Sequence, residues 1–351
     1  MYYVRKIIVN VMAKKEKTKQ IAKQKPKKQV KKNEQIVVEE KPKNKAKSKK
    51  PMSKGLKALI QYGIIGVSCI GLGVGGGIFL KRKLGQAETD YSGFNPELFK
   101  ADAARLLKEY RSNPSKSFTP AELVNIGLEK YREFDNSYSV SVGLASTVVK
   151  QTIRNYQIKN GSSYFEESIS RSSMVSLASR SYQLNSDQIN YYAGSASSDE
   201  QASYDGSFST YSPDAYKDYL GMTLEEMFVY LISNDTVNAD QCSVTKTGGL
   251  VKVTLSLDID IATYFYKIRM KSMSNLNSLP SFEYVTLKYT FDNDMTLLHL
   301  KVDEKYKASM SGVTATIVND IDTYYHAGEY RAIPELNEAI SYSTKGETKY
   351  E

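Results

Sequence analysis

The side chains best suited to chemistry are few in this chain. One histidine, His326, shares the alternating face of a predicted strand with Asp320 and Asp322, and a histidine beside carboxylates can bind a metal ion. No HxH or HExxH spacing accompanies it, so the sequence favours a structural histidine and no metal site. The other, His299, alternates with apolar residues such as Leu300, which predicts an exposed side chain.

A nucleophile or a calcium loop is equally hard to find. Cys242 is the only cysteine after residue 80, so no disulfide can form there, which is typical of bacterial surface proteins. Nothing near it in sequence marks it as a nucleophile. The stretch Asp292-Asn293-Asp294 is typical of a hairpin turn and is not followed by the further ligands of a calcium loop. We therefore expect no cofactor and no catalytic residue, and the acidic residues are too many for sequence to nominate a catalytic pair.

An uncharged stretch covers residues 58–80. A helix rises about 1.5 Å per residue, so these 23 residues are long enough for a hydrocarbon core of about 30 Å. The sequence predicts a single transmembrane helix, retained because a cleaved signal would stand closer to the N-terminus. Two overlapping GxxxG spacings predict a homodimer through this helix, the alternative being that glycine is common in membrane helices. The dimer face would comprise Gly71, Gly73, Gly75 and Gly77.

The charges predict the topology. Residues 1–57 contain 20 basic and four acidic residues, and positive charge favours the cytoplasmic side. This lysine-rich tail is predicted to be disordered. Its positive charge is expected to attract it to anionic lipid, the alternative being that the lysines only set the topology. Nucleic acid is disfavoured as a partner. We expect a single-pass protein of the cell membrane with a linker at 81–94 and an extracellular C-terminal part.

The extracytoplasmic domain is predicted to span residues 95–335 and to begin with two helices. Asn95 as N-cap and Pro96 at the first helical position predict a helix to about Tyr110. Thr119 and Glu122 have capping-box spacing and predict a second helix.

The pattern then changes to β. Five strands follow Asp135, with Asn160-Gly161 as a hairpin turn. Two short helices are predicted at 212–221 and 223–233, then two strands, a helix at 261–273 and a three-stranded meander. A flexible tail is predicted at 336–351. This order predicts an α+β fold with one bent antiparallel sheet and helices packed on a single face.

The element order, with the hairpin "YTFDNDMTLLHLKVDEKY", resembles the half-barrel fold of the LolA/LppX-like group of bacterial lipoprotein carriers over about 118–327. The resemblance implies a concave face that holds lipid acyl chains. It carries over no functional residues, and the membrane tether departs from that group.

The leading hypothesis is therefore a membrane-anchored, extracytoplasmic, non-catalytic binding domain with a lipid-like or other hydrophobic ligand. One alternative is a surface structural or adhesion protein, since 17 of the 51 residues at 162–212 are serine and tyrosine is frequent, as at adhesive protein surfaces. Another is an envelope enzyme acting on the cell wall through paired carboxylates.

Overall fold

A computed structural model describes residues 95–350 except 148, 174–175, 185–186, 221–223, 225–229, 275, 311–312, 343, 345–346 and 349. The predicted tail, transmembrane helix and linker lie outside the described residues, as do Gly71, Gly73, Gly75, Gly77 and most of the predicted helix at 223–233. Among the described residues, no helix combines the length and the apolar character that a membrane crossing requires.

The fold is α+β and is built on one open antiparallel sheet of eleven strands. Their spatial order is β6-β5-β4-β3-β2-β1-β11-β10-β9-β8-β7. The strands are β1 Asn136–Ser146, β2 Lys150–Asn160, β3 Ser163–Arg171, β4 Ser176–Gln183, β5 Ile189–Ala196, β6 Ala202–Tyr211, β7 Ser243–Thr247, β8 Leu250–Ser256, β9 Ser281–Asp292, β10 Leu297–Met310 and β11 Val313–Ala327.

Strands β1 and β11 join two series of sequential hairpins. Val140 of β1 pairs with Tyr324 of β11, although the two strands are far apart in sequence. The predicted meander is confirmed as β9 to β11, and the turn after Asn160 is confirmed with φ 58° at Gly161. The sequence reading missed β6, whose mostly exposed, serine-rich residues lack the apolar face by which a strand is recognised.

Four helices are present in the described part of the chain, namely α1 Ala103–Ser112, α2 Pro120–Arg132, α3 Pro213–Leu220 and α4 Tyr264–Ser274. The predicted helix from Asn95 to Tyr110 is wrong in its extent. Asn95 caps only a short 3₁₀ turn, Pro96–Phe99, and Asp102 starts α1 afresh by accepting a hydrogen bond from the backbone N–H of Arg105. The capping box of Thr119 and Glu122 is confirmed at α2.

The two faces of the sheet have different coverings. Directly paired residues of antiparallel strands share a face, so the register assigns every strand residue to one of two sides. We call the face against which the helices pack the helix side. The opposite face is the strap side, because over β1–β5 it is covered by described residues of the C-terminal segment 328–350, which we call the strap. Within the tail predicted to be flexible, Ile340 and Tyr342 are buried.

Helix α2 lies unusually close to the helix side at Gly127. A Cβ atom added there would collide with the ring of Phe291 on β9, which is fully buried. We expect Gly127→Ala to lower the free energy of unfolding by about 1–2 kcal/mol, because overpacking outweighs alanine's better helix propensity of about 1 kcal/mol. Urea denaturation measures this loss. The double variant with Phe291→Leu should recover part of it, and equal stability of Gly127→Ala and the parent chain would contradict the close approach.

Candidate functional site

The helix side of β1–β5 is polar yet buried. Its hydroxyl and amide groups bond to one another: the Ser139 hydroxyl donates to Gln157 Oε1 at 3.3 Å, and the hydroxyls of Ser141 and Thr323 lie 2.8 Å apart. Such pairing lets small polar side chains enter an interior that would otherwise penalise them. The fully or almost fully buried serines of this side are Ser137, Ser139, Ser168, Ser170, Ser179 and Ser181.

Glu166 of β3 stands at the centre of this polar face and is 7% exposed. Burial raises its pKa to about 7, against the opposing effects of the Arg269 guanidinium on α4 and a hydrogen bond from Gln157. Next to it, the hydroxyls of Ser181 on β4 and Tyr216 on α3 lie 2.9 Å apart. We call these five residues the Glu166 cluster. Its members come from the sheet and from helices α3 and α4, so only the assembled fold forms it.

A cleft opens beside the cluster, at the end of the sheet where β1 starts and β2 ends. Its cavity volume is about 30 Å³, and Gln157, Lys159 and Tyr164 contribute to its wall. Gln157 therefore both lines the cleft and hydrogen-bonds Glu166. The hydroxyls, the amide and the ammonium group of this wall can together donate and accept hydrogen bonds to a small polar molecule.

A second buried carboxyl lies on the same side but belongs to a different group. Glu304 of β10 accepts hydrogen bonds from the Tyr230 hydroxyl at 2.6 Å, the Asn319 amide at 2.6 Å and the Tyr266 hydroxyl at 3.1 Å. Burial raises its pKa despite these three donors.

The two carboxyls do not form a catalytic pair. Glu166 and Glu304 are four strand spacings apart in the order β3-β2-β1-β11-β10, or about 19 Å along the sheet at about 4.8 Å per spacing. Glycosidase carboxyls are about 5–9.5 Å apart. The arrangement therefore gives no support to a wall-hydrolysing mechanism.

The strap side contains the other buried charges. Arg180 of β4 donates from Nε to Glu167 of β3, and both side chains are at most 3% exposed. The same guanidinium donates from Nη2 to the carbonyl of Glu338 at 2.7 Å and from Nη1 to the carbonyl of Glu335 at 3.3 Å. Tyr342 of the strap donates its hydroxyl to Glu167, and burial with that carboxylate raises the pKa of Tyr342 well above its usual range. This buried pair fastens the strap to the sheet.

The apolar side chains of the strap side are therefore covered by the protein itself. Tyr156, Phe165 and Tyr182 form one buried cluster with Ile340 and Tyr342 of the strap. The hydrophobic ligand expected from the sequence would have to take the place of these strap residues on this face.

The histidines differ from expectation. The prediction that His299 is exposed is wrong, since its side chain is 5% exposed. The reason is tertiary: its Nε2 atom lies 2.9 Å from Asp322, whose pKa this hydrogen bond lowers, and Tyr350 of the strap lies beside the ring. His326 stacks on Tyr138 with ring centroids 4.0 Å apart.

The other candidate site residues do not lie together in the fold. The nitrogens of His326 face Glu329 and Glu347 of the strap rather than Asp320 and Asp322. Cys242 is partly buried, and the turn at Asp292 is confirmed, because its carboxylate accepts two backbone N–H groups. Within the described ranges, no three His, Cys, Asp or Glu side chains are placed to share a metal ion.

The sequence reading missed the buried charged residues. Glu166 and Glu167 are adjacent in the strand "SYFEESISR" and point to opposite sides, each into buried surroundings. Two neighbouring acidic residues inside a strand indicate a buried carboxyl group. Their side chains point to opposite sides, so one of them must face a core wherever both sides of the sheet are covered. Their partners Arg269 and Arg180 are distant in sequence and gave no signal.

No protein-family model matches this chain. No curated protein matches it significantly in sequence either. The resemblance to the LolA/LppX-like group stays a prediction.

Proposed function

We propose that this chain is a membrane-anchored, extracytoplasmic, non-catalytic binding protein whose folded part takes a small, polar, hydrogen-bonding molecule at the cleft beside the Glu166 cluster. The observation that carries the proposal is the buried polar helix side, where Gln157 connects an open cleft to a carboxyl with a raised pKa. A concave site with converging polar groups and a perturbed titratable residue is the usual form of a ligand site.

The cleft wall combines apolar side chains with the Gln157 amide and the Lys159 ammonium group, and these two polar groups favour a polar ligand over a lipid chain. The apolar side chains of β1–β5 on the strap side are already covered by Ile340 and Tyr342. We therefore replace the hydrophobic ligand of the sequence hypothesis by a polar one.

The membrane anchor and the orientation in the proposal rest on the sequence. Residues 58–80 are uncharged, and the lysines of residues 1–57 favour a cytoplasmic N-terminus. On this topology the folded part faces the outside, where the cleft would meet soluble small molecules.

The test is a binding screen on the full chain in detergent, with amino acids, nucleosides and monosaccharides as polar probes and a fluorescent fatty acid as the apolar probe. A compound at 100 times its Kd stabilises the folded state by about 2.7 kcal/mol, which is visible as a raised Tm. We expect at least one polar probe to raise the Tm of the parent chain and of Gln201→Leu, an exposed control, but not of Gln157→Leu.

Two results would overturn the proposal. Saturable fatty-acid binding without any polar hit would restore the lipid hypothesis. A polar probe that stabilises Gln157→Leu as much as the parent chain would place binding away from the cleft.

A further inference from the structure

The cleft beside the Glu166 cluster has an excess of basic over acidic residues in its wall. Arg132, the last residue of α2, and Lys159, near the end of β2, both line it. In the part of the chain that the structure describes, no acidic residue lines it. A concave surface lined by one sign of charge concentrates ions of the opposite sign. The wall therefore favours an anion over a neutral or cationic ligand.

The two basic residues differ in their partners. The Arg132 guanidinium forms an ion pair with Glu129, in which Nη1 lies 3.0 Å from Oε2. Lys159 donates from Nζ to the backbone carbonyl of Arg132 at 2.8 Å, and no carboxylate of the described residues forms an ion pair with it. The charge of Arg132 is thus compensated by an acidic side chain of the fold, whereas that of Lys159 is not.

The hydrogen bond from Lys159 has a structural reason but leaves the residue able to bind. The Arg132 carbonyl is at the C-terminal end of α2, which acts like about half a negative charge, so a lysine there stabilises the helix. This contact uses one of the three N–H donors of an ammonium group and offsets about half of its positive charge. The other donors and the remaining charge are available to a ligand in the cleft.

The cavity volume limits the group that can enter. A space of about 30 Å³ accommodates about two or three groups of the size of a water molecule, at about 10–15 Å³ for each. A compact oxyanion fits this space, whereas a sugar ring or a nucleobase does not. Gln157 and Tyr164 line the same cavity, and their side chains can donate hydrogen bonds to oxyanion oxygens.

We infer that the ligand of this cleft carries a compact oxyanion group, a carboxylate or a phosphate, and that Lys159 holds this group. The inference rests on the proposed function and adds the charge of the ligand to it. The oxyanion enters the cavity and accepts a hydrogen bond from the Lys159 ammonium group, while the rest of the molecule lies at the mouth. A neutral group binds more weakly there, because hydrogen bonds between ionised partners are about twice as strong as neutral ones.

The test compares acetate with acetamide, its neutral counterpart of similar shape, and adds inorganic phosphate as the second anion. Each probe is titrated into the full chain in detergent at constant ionic strength, and the dependence of the Tm on its concentration gives its Kd. We expect acetate or phosphate to bind the parent chain about tenfold more tightly than acetamide does. The tighter of the two anions identifies the oxyanion class of the ligand.

Lys159→Gln separates ligand binding from helix capping, because glutamine lacks the charge but can still donate to the Arg132 carbonyl. It should raise the Kd of the anion about tenfold, and Lys159→Arg should keep it near the parent value. The matched control is Lys130→Gln. Lys130 also donates to a backbone carbonyl, that of Asp294, but does not line the cleft, so its variant should bind the anion like the parent chain.

The outcomes separate this inference from the proposed function. Equal stabilisation of the parent chain, Lys159→Gln and Lys130→Gln by the anions would be a general salt effect and would overturn the inference. Stabilisation by neutral probes that depends on Gln157, without any by acetate or phosphate, would also overturn it but leave the proposed function intact. If no polar probe of either kind stabilises the protein, both fail.

Discussion

Replacing Arg180 by methionine is expected to lower the free energy of unfolding by about 3–5 kcal/mol, because the carboxylate of Glu167 then stays buried without its ionic partner. Both side chains are at most 3% exposed, so water cannot replace the missing guanidinium. The strap also loses the donor to its carbonyls at Glu335 and Glu338. Urea denaturation followed by circular dichroism measures the loss, and limited proteolysis should cut the strap of the variant first.

The matched control is Arg171→Met on β3. Arg171 pairs with Asp199 at 3.3 Å, but both side chains are more than 40% exposed, and exposed pairs contribute about 0–1 kcal/mol. The double variant Glu167→Gln with Arg180→Met should regain part of the loss, since no charge remains buried. Equal losses in Arg180→Met and Arg171→Met would show that the buried pair does not fasten the strap.

The second large effect is a pH dependence of stability set by Glu166. Burial raises the pKa of Glu166 from its ordinary 4.5 to about 7. A raised pKa means that the folded protein binds the proton more tightly than the unfolded chain does. The stabilisation from this proton is complete below about pH 4.5 and is lost as the pH rises through about 7.

Glu166→Gln removes the proton dependence while keeping a similar neutral side chain. The free energy of unfolding of the variant, relative to the parent chain, should therefore increase by up to about 3 kcal/mol between pH 4.5 and pH 8. Urea denaturation at several pH values measures the difference. Glu338→Gln, whose side chain is exposed, is the control and should show no such slope. A pH-independent difference for Glu166→Gln would place Glu166 in water rather than in the polar interior.

Several helices, strands and turns could be predicted from the sequence because they depend on local interactions. Thr119 and Glu122 start α2 through contacts within a single turn. In β8 the residues from Leu250 to Ser256 alternate between buried and partly exposed positions, as their alternating apolar and polar types predict. The meander of β9 to β11 followed from turns such as the one at Asp292. Each signal depends on neighbours a few residues away.

The tertiary structure decided what depends on distant partners. No local signal indicates that β1 pairs with β11, and the serine-rich β6 has no apolar face to reveal it. His299 is buried because Asp322 and the strap reach it.

The candidate site follows the same rule. Because a glutamate side chain is polar, Glu166 is expected at the protein surface. It can lie in the interior only when other elements supply its hydrogen bonds. Here Gln157 comes from the neighbouring strand and Arg269 from a helix about 100 residues further along the chain. The sequence by itself therefore determined the local elements and the separation of the basic N-terminal region from the rest. Which polar groups are buried was decided by the tertiary structure alone, because their partners are brought together only by folding.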